Sequence, residues 1–175
     1  TGSMANRYVF STDVESSLYK AGDTITVTGH VSDVLGNDVP DLEVDVYLLV
    51  LGTRITRSTV SDIHGDYSIT YVPRYSESGY YQVGSCERNK RSSDAHDSFD
   101  VPGMSRVTNS NIIWKIYQND SVAGAIPIRN RSRIPLENIR VVPVSVPSGL
   151  EISFGSFGLG ALETAELQYS FTGTS

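Results

Sequence analysis

Three histidines, one cysteine and several acidic clusters are the side chains of this 175-residue chain best equipped to move a proton, attack a carbonyl or hold a metal ion. His30 sits among alternating threonines, His64 in a turn and His96 in a polar stretch, and each reads as a surface residue. Cys86 with a distant histidine would make a thiol–imidazole dyad in principle. A half-buried thiol at a strand end accounts for it with less. No GxSxG, HExxH or phosphate-binding loop occurs. Without a nucleophile and base, a paired carboxylate in a cleft or a metal set, the sequence points away from an enzyme and calls for no cofactor.

Calcium chemistry needs several oxygens converging on one point. Asp62, His64 and Asp66 crowd one turn, Asp94, Asp97 and Asp100 another segment, and Asp38, Asp41, Glu43 and Asp45 form an acidic run. None has the spacing of a known calcium loop, so a turn and a solvated strand face are the preferred readings and no metal is assigned. Carbohydrate binding needs flat, outward aromatic rings. Tyr75, Tyr80 and Tyr81 bracket a turn and are the candidate ligand-binding residues, because neighbours on a strand face opposite ways and one of Tyr80 and Tyr81 must point outward. Tyr47 is placed on the polar side of its strand, and Trp114 in a core.

The elements that must position these groups are strands. Ile25, Val27, Gly29 and Val31 alternate with threonines and His30, the pattern of a half-buried strand. Leu35–Asp38 supplies a turn. Val44, Val46, Leu48 and Val50 share one face of the next strand, and Ile55–Val60 forms another. Asp62–Asp66 is a tight turn with Gly65 free to take positive φ. Tyr67, Ile69 and Tyr71 alternate, Gly79–Cys86 follows, and Ser98–Val101 closes the set. Six or seven strands in about 95 residues suit a Greek-key sandwich. Residues 87–97 form a polar loop expected to be mobile.

Val101–Met104 reads as a boundary. Beyond it, strands are expected at Ile112–Ile116, Gly124–Ile128, Ile139–Val146 (interrupted by Pro143), Leu150–Phe154 and Ala165–Phe171, with a glycine-rich turn at Phe157–Leu162. Arg129, Arg131 and Arg133 read as a solvated edge that discourages strand addition. The two halves do not align with each other. The fold class is therefore all-β, with two Ig-like sandwich domains in series over residues 6–102 and 104–175. Thr1–Ala5 reads as a cloning remnant.

Charge bounds the partners. The net charge is −6, and residues 1–103 carry eight Lys and Arg against fifteen Asp and Glu. That balance argues against nucleic acid. No apolar run approaches the roughly 18 residues of a membrane helix, so no membrane insertion is expected. The single cysteine permits no intrachain disulfide. Asn119-Asp120-Ser121 and Asn130-Arg131-Ser132 match the glycosylation triplet.

Residues 18–72 resemble prokaryotic Ig-like modules related to carboxypeptidase regulatory and macroglobulin-like domains. The residues that carry the likeness are Tyr19–Asp23, Gly36–Pro40, Val44–Tyr47 and Ser61–Tyr67. Residues 117–172 resemble Ig-like modules of the NEW3 and CARDB kind, through Ile128–Asn130, Pro135–Val141, Pro147–Leu150 and Leu159–Thr164. The resemblance implies tandem non-catalytic modules that space and display neighbouring domains of a larger extracellular or cell-surface protein. The alternative it leaves open is an adhesin module that binds a glycan or a surface protein.

Overall fold

A computed structural model describes residues 7–108 and 113–174. The chain divides into two compact units, Thr1–Val101 and Pro102–Ser175. Both are built from β-strands, and among the described residues no helix is long and apolar enough to cross a membrane.

Unit 1 holds β1 (Tyr8–Val14), β2 (Ile25–Asp33), β3 (Glu43–Val50), β4 (Thr53–Val60), β5 (Asp66–Tyr71), β6 (Gly79–Glu87) and β7 (Asp97–Val101). Their order is β1-β2-β5 in one sheet and β4-β3-β6-β7 in the other, with every pair antiparallel. This is a Greek-key arrangement of an Ig-like sandwich. The alternation at 25–31 and 44–50 does what its period demands. Ile25, Val27, Val31, Val44, Val46 and Leu48 lose all solvent exposure, and they meet Tyr81, Val83, Phe99 and Val101 between the sheets.

β1 lies in a stretch from which no strand is expected. Tyr8, Phe10, Thr12 and Val14 do alternate, but polar Thr12 interrupts the apolar face and masks the period. Tyr47 also departs from expectation. It shares neither the face nor the core of Val46 and Leu48, yet it is fully buried. Arg54 lies 3.8 Å over its ring, and its hydroxyl donates to the Asp94 carbonyl at 2.7 Å. The 88–96 segment is folded onto the outer face of the sheet and covers it. Arg54 Nη1 donates to Ser92 O at 2.6 Å, and His96 N to Val83 O at 2.8 Å. Polar side chains and backbone groups thus anchor a loop whose one apolar residue is Ala95.

Unit 2 holds β8 (Met104–Arg106), β9 (Ser121–Asn130), β10 (Leu136–Ile139), β11 (Leu150–Phe154), β12 (Phe157–Leu159) and β13 (Thr164–Gly173). A four-stranded sheet runs β11-β13-β9-β8, and β10 pairs with β12 in a second, two-stranded sheet. Ile128 and Leu167 from the first meet Ile139 and Leu159 from the second. Several expectations change here. Residues 113–117 keep an alternating exposure without a strand ladder, so Trp114 is half-buried on a non-strand segment; Ile112 lies outside the described residues. The third strand ends at Ile139, and residues 140–149 have no ladder. Pro143 and Pro147 lack the N–H a ladder needs. Phe157–Leu159, expected as a turn, is a strand paired with β10. Arg129 is on no edge: β9 is flanked by β13 and β8, with Arg129 opposite both Thr164 and Ser105.

One device recurs in both units. In three pairs of strands a tyrosine stands directly opposite a glycine: Tyr67 and Gly29, Tyr47 and Gly84, Tyr169 and Gly124. A Cβ on each glycine would lie 2.3–2.7 Å from atoms of the tyrosine ring or its hydroxyl. The missing side chain lets the ring lie flat across the neighbouring strand, as aromatic residues do over strand glycines. The hydroxyl then reaches past it, from Tyr67 to Ser11 O, from Tyr47 to Asp94 O, and from Tyr169 to the Trp114 indole.

Candidate functional site

The groups with chemical potential gather at two places in unit 1. The first is a cleft of about 430 Å³ between β1, the end of β6 and the 90–96 segment, lined by Tyr8, Phe10, Ser85, Cys86, Arg91 and His96 among others. Two of its lining residues, Ser85 and His96, belong to a hydrogen-bonded chain that runs on through Thr12 and Tyr67. Tyr67 OH lies 2.7 Å from Ser11 O and 2.6 Å from Ser85 Oγ. Ser85 Oγ lies 2.7 Å from Thr12 Oγ1, and Thr12 Oγ1 lies 3.0 Å from His96 Nδ1.

A carbonyl can only accept, and each hydroxyl has one hydrogen. Tyr67 must therefore donate to Ser11 O, Ser85 to Tyr67, Thr12 to Ser85, and His96 Nδ1 to Thr12. The network assigns the proton to Nδ1 and leaves Nε2 with its lone pair. Burial holds the imidazole below its ordinary pKa, partly opposed by the Asp94 carboxylate. His96 is thus a neutral acceptor at neutral pH. The Thr12 hydroxyl that meets the imidazole spends its hydrogen on Ser85, and the Ser85 hydroxyl spends its own on Tyr67. Thr12 and Ser85 were not expected as members of any site. The available signal is a hydroxyl residue at an inward position of a strand, which by itself does not name its partner.

Cys86 lies on the opposite face of β6 from Ser85. It is buried under the 88–96 segment, with Sγ 3.4 Å from Lys90 O and 3.9 Å from Asp45 O. Burial pushes its thiol up, against a smaller lowering by the Arg54 guanidinium. A raised pKa keeps the sulfur protonated and a poor nucleophile.

The second place is the outer face of the β1-β2-β5 sheet, which carries a shallow open groove of about 700 Å³. Register sets Ser11, His30 and Asp66 in one row across three strands. The order imitates a catalytic triad and the bonds do not. Ser11 Oγ turns to the His30 carbonyl at 3.5 Å, His30 Nδ1 meets Asp66 Oδ1 at 2.9 Å, and Nε2 faces Asp38 Oδ1 at 3.5 Å. The imidazole is set between two carboxylates and does not face a nucleophile.

The acidic clusters serve turns. Asp62 Oδ1 accepts from His64 N at 2.8 Å and Asp66 N at 3.0 Å, and Gly65 takes φ 76° beside them. Those backbone bonds hold the Asp62 carboxyl below its usual value, and Asn37 does the same for Asp33. Asp97 accepts from Val14 N at 2.8 Å and Ser98 N at 2.7 Å. Among the described residues no three His, Cys, Asp or Glu side chains are arranged to hold a metal ion.

The three candidate tyrosines separate. Tyr81 is fully buried, stacked on Phe99 at 4.7 Å with its hydroxyl on Glu77 O at 2.6 Å, so it offers no face to a ligand. Tyr80 is half-buried opposite Asp100. Tyr75 is 86% exposed on the 3-10 turn Tyr75–Glu77. In unit 2 the Trp114 ring packs 4.5 Å from Phe171 and 5.0 Å from Tyr169. The two glycosylation triplets also separate. Asn119 lies in an exposed turn. Asn130 has no solvent exposure and uses its whole amide: Nδ2 donates to Ile134 O and Gly160 O, and Oδ1 accepts from Ser132 N and Oγ.

No family model matches the chain, and no curated protein matches it. Among solved structures it is similar to the alpha-2-macroglobulin of Escherichia coli in its native conformation (16% identity, TM-score 0.45, 96% of this chain and 12% of that one). It is also similar to the Escherichia coli adhesin FdeC (16% identity, TM-score 0.44, 97% of this chain and 56% of that one). Trypsin-activated Escherichia coli alpha-2-macroglobulin matches at 15% identity and TM-score 0.43, over 95% of this chain and 14% of that one. The chain spans about an eighth of the macroglobulin and just over half of the adhesin chain. Likenesses at this level carry no argument about activity.

Proposed function

We propose that the chain is a non-catalytic structural and interaction module that spaces and displays neighbouring domains of a larger extracellular or cell-surface protein. Each unit is read as a separate Ig-like domain, over residues 6–102 and 104–175. The first is of the carboxypeptidase-regulatory and macroglobulin-like kind, the second of the NEW3 and CARDB kind. The observation that supports this is how the reactive groups are spent. His30 is held by two carboxylates, His96 starts a hydroxyl chain, Cys86 is a buried thiol, and Tyr47, Tyr67, Tyr81 and Tyr169 fasten strands or loops. The acidic first half weighs against nucleic acid as a partner.

A second reading, an adhesin module for a glycan or a surface protein, is favoured by one observation: Tyr75 is exposed. A glycan array probed with the full chain separates the two. The spacer reading expects no retained glycan. Retention that Tyr75→Ala abolishes would replace it with the adhesin reading.

A further inference from the structure

The first and last strands of unit 1 are joined by a seam. After β1 the chain crosses to the other sheet, and Leu18 forms a parallel bridge with Asp100 of β7. Tyr19 N donates to Asp100 O at 3.0 Å, and Asp100 N donates to Ser17 O at 2.9 Å. Four residues earlier Val14 N donates to Asp97 Oδ2 at 2.8 Å. The order Val14 then Leu18 therefore matches the order Asp97 then Asp100, and the two segments run in the same direction along the whole seam. Tyr19 adds an apolar lock, set edge-to-face on Phe99 with ring centroids 5.3 Å apart, and Phe99 is itself stacked on Tyr81.

Direction decides how such a seam answers a pull. Tension on the chain enters unit 1 at Tyr8 and leaves at Val101, at opposite ends of two parallel segments. It drags them past each other lengthwise. The bonds at Val14, Ser17 and Tyr19 then lie across the force and must fail together, as must the seven residue pairs that hold β1 on β2.

Unit 2 is connected differently. Among the described residues its first strand, β8, is held to β9 by three residue pairs, with flanking bonds from Arg131 to Gly103 and Ser105 and from Val107 to Pro127. Once β8 slips and Trp114 leaves Tyr169 and Phe171, tension reaches Ser121 at the start of β9 and Gly173 at the end of β13. These strands are antiparallel, with Ser121 opposite Thr172. Both attachment points are at the same end of the pair, so the ladder opens one bond at a time, like a zip.

We propose that unit 1 is a load-bearing element, with the seam of residues 14–19 on β7 as its mechanical clamp, and that unit 2 is the compliant element which yields first. The proposal deepens the spacer reading and rests on it: a spacer under tension would lengthen in a fixed order while unit 1 stays folded.

Single-molecule force–extension measurement on the full chain, held by its two ends, tests this. Unit 2, from Met104 to Gly173, should release first, giving roughly 240 Å of extended chain. Unit 1, from Tyr8 to Val101, should release second, at several-fold higher force, giving roughly 320 Å, at about 3.3–3.6 Å per extended residue. Moving one handle to Lys20 (Lys20→Cys), next to the same end of the seam as Val101, should drop the unit 1 force to that of unit 2 with no other change in the protein. Asp97→Ala should lower the force in the end-held geometry and leave it unchanged in the Lys20 geometry. Val46→Ala, a core change away from the seam, should not distinguish the two geometries. Release of the longer segment first, or equal unit 1 forces in both geometries, would overturn the clamp. Those results leave the spacer reading standing, whereas glycan retention on the array would remove the spacer reading without altering any of these forces.

Discussion

Unit 1 and unit 2 use the same parts on different foundations. Each has a tyrosine laid over a strand glycine and a buried polar knot: the Tyr67–Ser85–Thr12–His96 chain in unit 1 and the Asn130 amide in unit 2. In unit 1 these sit beside a core of fifteen buried residues drawn from both sheets. In unit 2 the corresponding cluster has four among the described residues, and part of the sheet face is covered by Trp114 from a segment with no ladder. The same polar device is therefore one support among many in the first unit and a main support in the second. Trp114 is the chain's one tryptophan. Its fluorescence follows unit 2 alone, while the far-ultraviolet signal follows both, so the comparison can be tested one unit at a time.

The largest effect belongs to the core. Phe99→Ala removes a fully buried ring on which Tyr81 stacks and against which Tyr19 sets its edge. Unit 1 should lose about 3–5 kcal/mol. In urea its far-ultraviolet transition should move to lower denaturant while the Trp114 transition stays in place. A joint shift would mean that the units unfold as one and that the comparison drawn between them fails.

Next comes the knot of unit 2. Asn130→Ala leaves the Gly160 carbonyl and the Ser132 N–H without their partner in a site closed to water, while the Ser132 hydroxyl keeps the Ile134 carbonyl at 3.2 Å. The cost should be about 3 kcal/mol, the scale of stranding buried polar groups. With so small a core to absorb it, the Trp114 transition should broaden or vanish at room temperature. Retention of that transition would show that water or a rearranged loop satisfies the groups.

The strands of residues 25–71 were legible because apolar period, turn residues and face agree at every step. Ile25, Val27 and Val31, then Val44, Val46 and Leu48, sit where alternation puts them. Legibility fails where a residue's role is set by a partner far along the chain. Thr12 reads as a break in β1 until Ser85 and His96 stand beside it. Tyr47 reads as solvent-facing until residues 88–96 fold over it. Gly29, Gly84 and Gly124 sit in expected strands without any local sign of the tyrosine that stands opposite each. The candidate tyrosines were only partly legible for the same reason: alternation says that Tyr80 and Tyr81 face opposite ways and does not say which one meets Phe99.

The glycines give a smaller and graded effect. A methyl at Gly29 would stand 2.5 Å from the Ser11 carbonyl as well as against Tyr67, so backbone must move. Gly29→Ala should cost about 1–3 kcal/mol. At Gly124 the nearest atoms are those of the Tyr169 side chain, which can swing aside. Gly124→Ala should cost about 1 kcal/mol, near the net value of the hydrogen bond to Trp114 that is lost. It should also shift the Trp114 emission, because the indole N–H loses its partner. Equal costs at the two sites would mean that ring displacement, and not backbone collision, sets the penalty.

The smallest effect is the most specific to unit 1, which holds all three histidines of the chain. Burial lowers the His96 pKa in the folded state. As the pH falls through about 6.5, the ordinary value, the unfolded chain takes up a proton that the folded protein refuses. The contribution of His96 is therefore fully present above that pH and declines below it. The carboxyls of Asp33, Asp62 and Glu77, held low by hydrogen bonds, lose their contributions only nearer pH 4. Between pH 7.5 and 5.5 unit 1 should lose stability more steeply in the parent chain than in His96→Asn, whose amide can still donate to Thr12. His30 and His64 are present in both proteins, so the difference in slope belongs to His96. The Trp114 transition should not differ between the two proteins at any pH in that window. A parent slope no steeper than that of His96→Asn would mean that Nε2 takes up its proton in the folded protein as readily as in the unfolded chain, with Nδ1 still donating to Thr12.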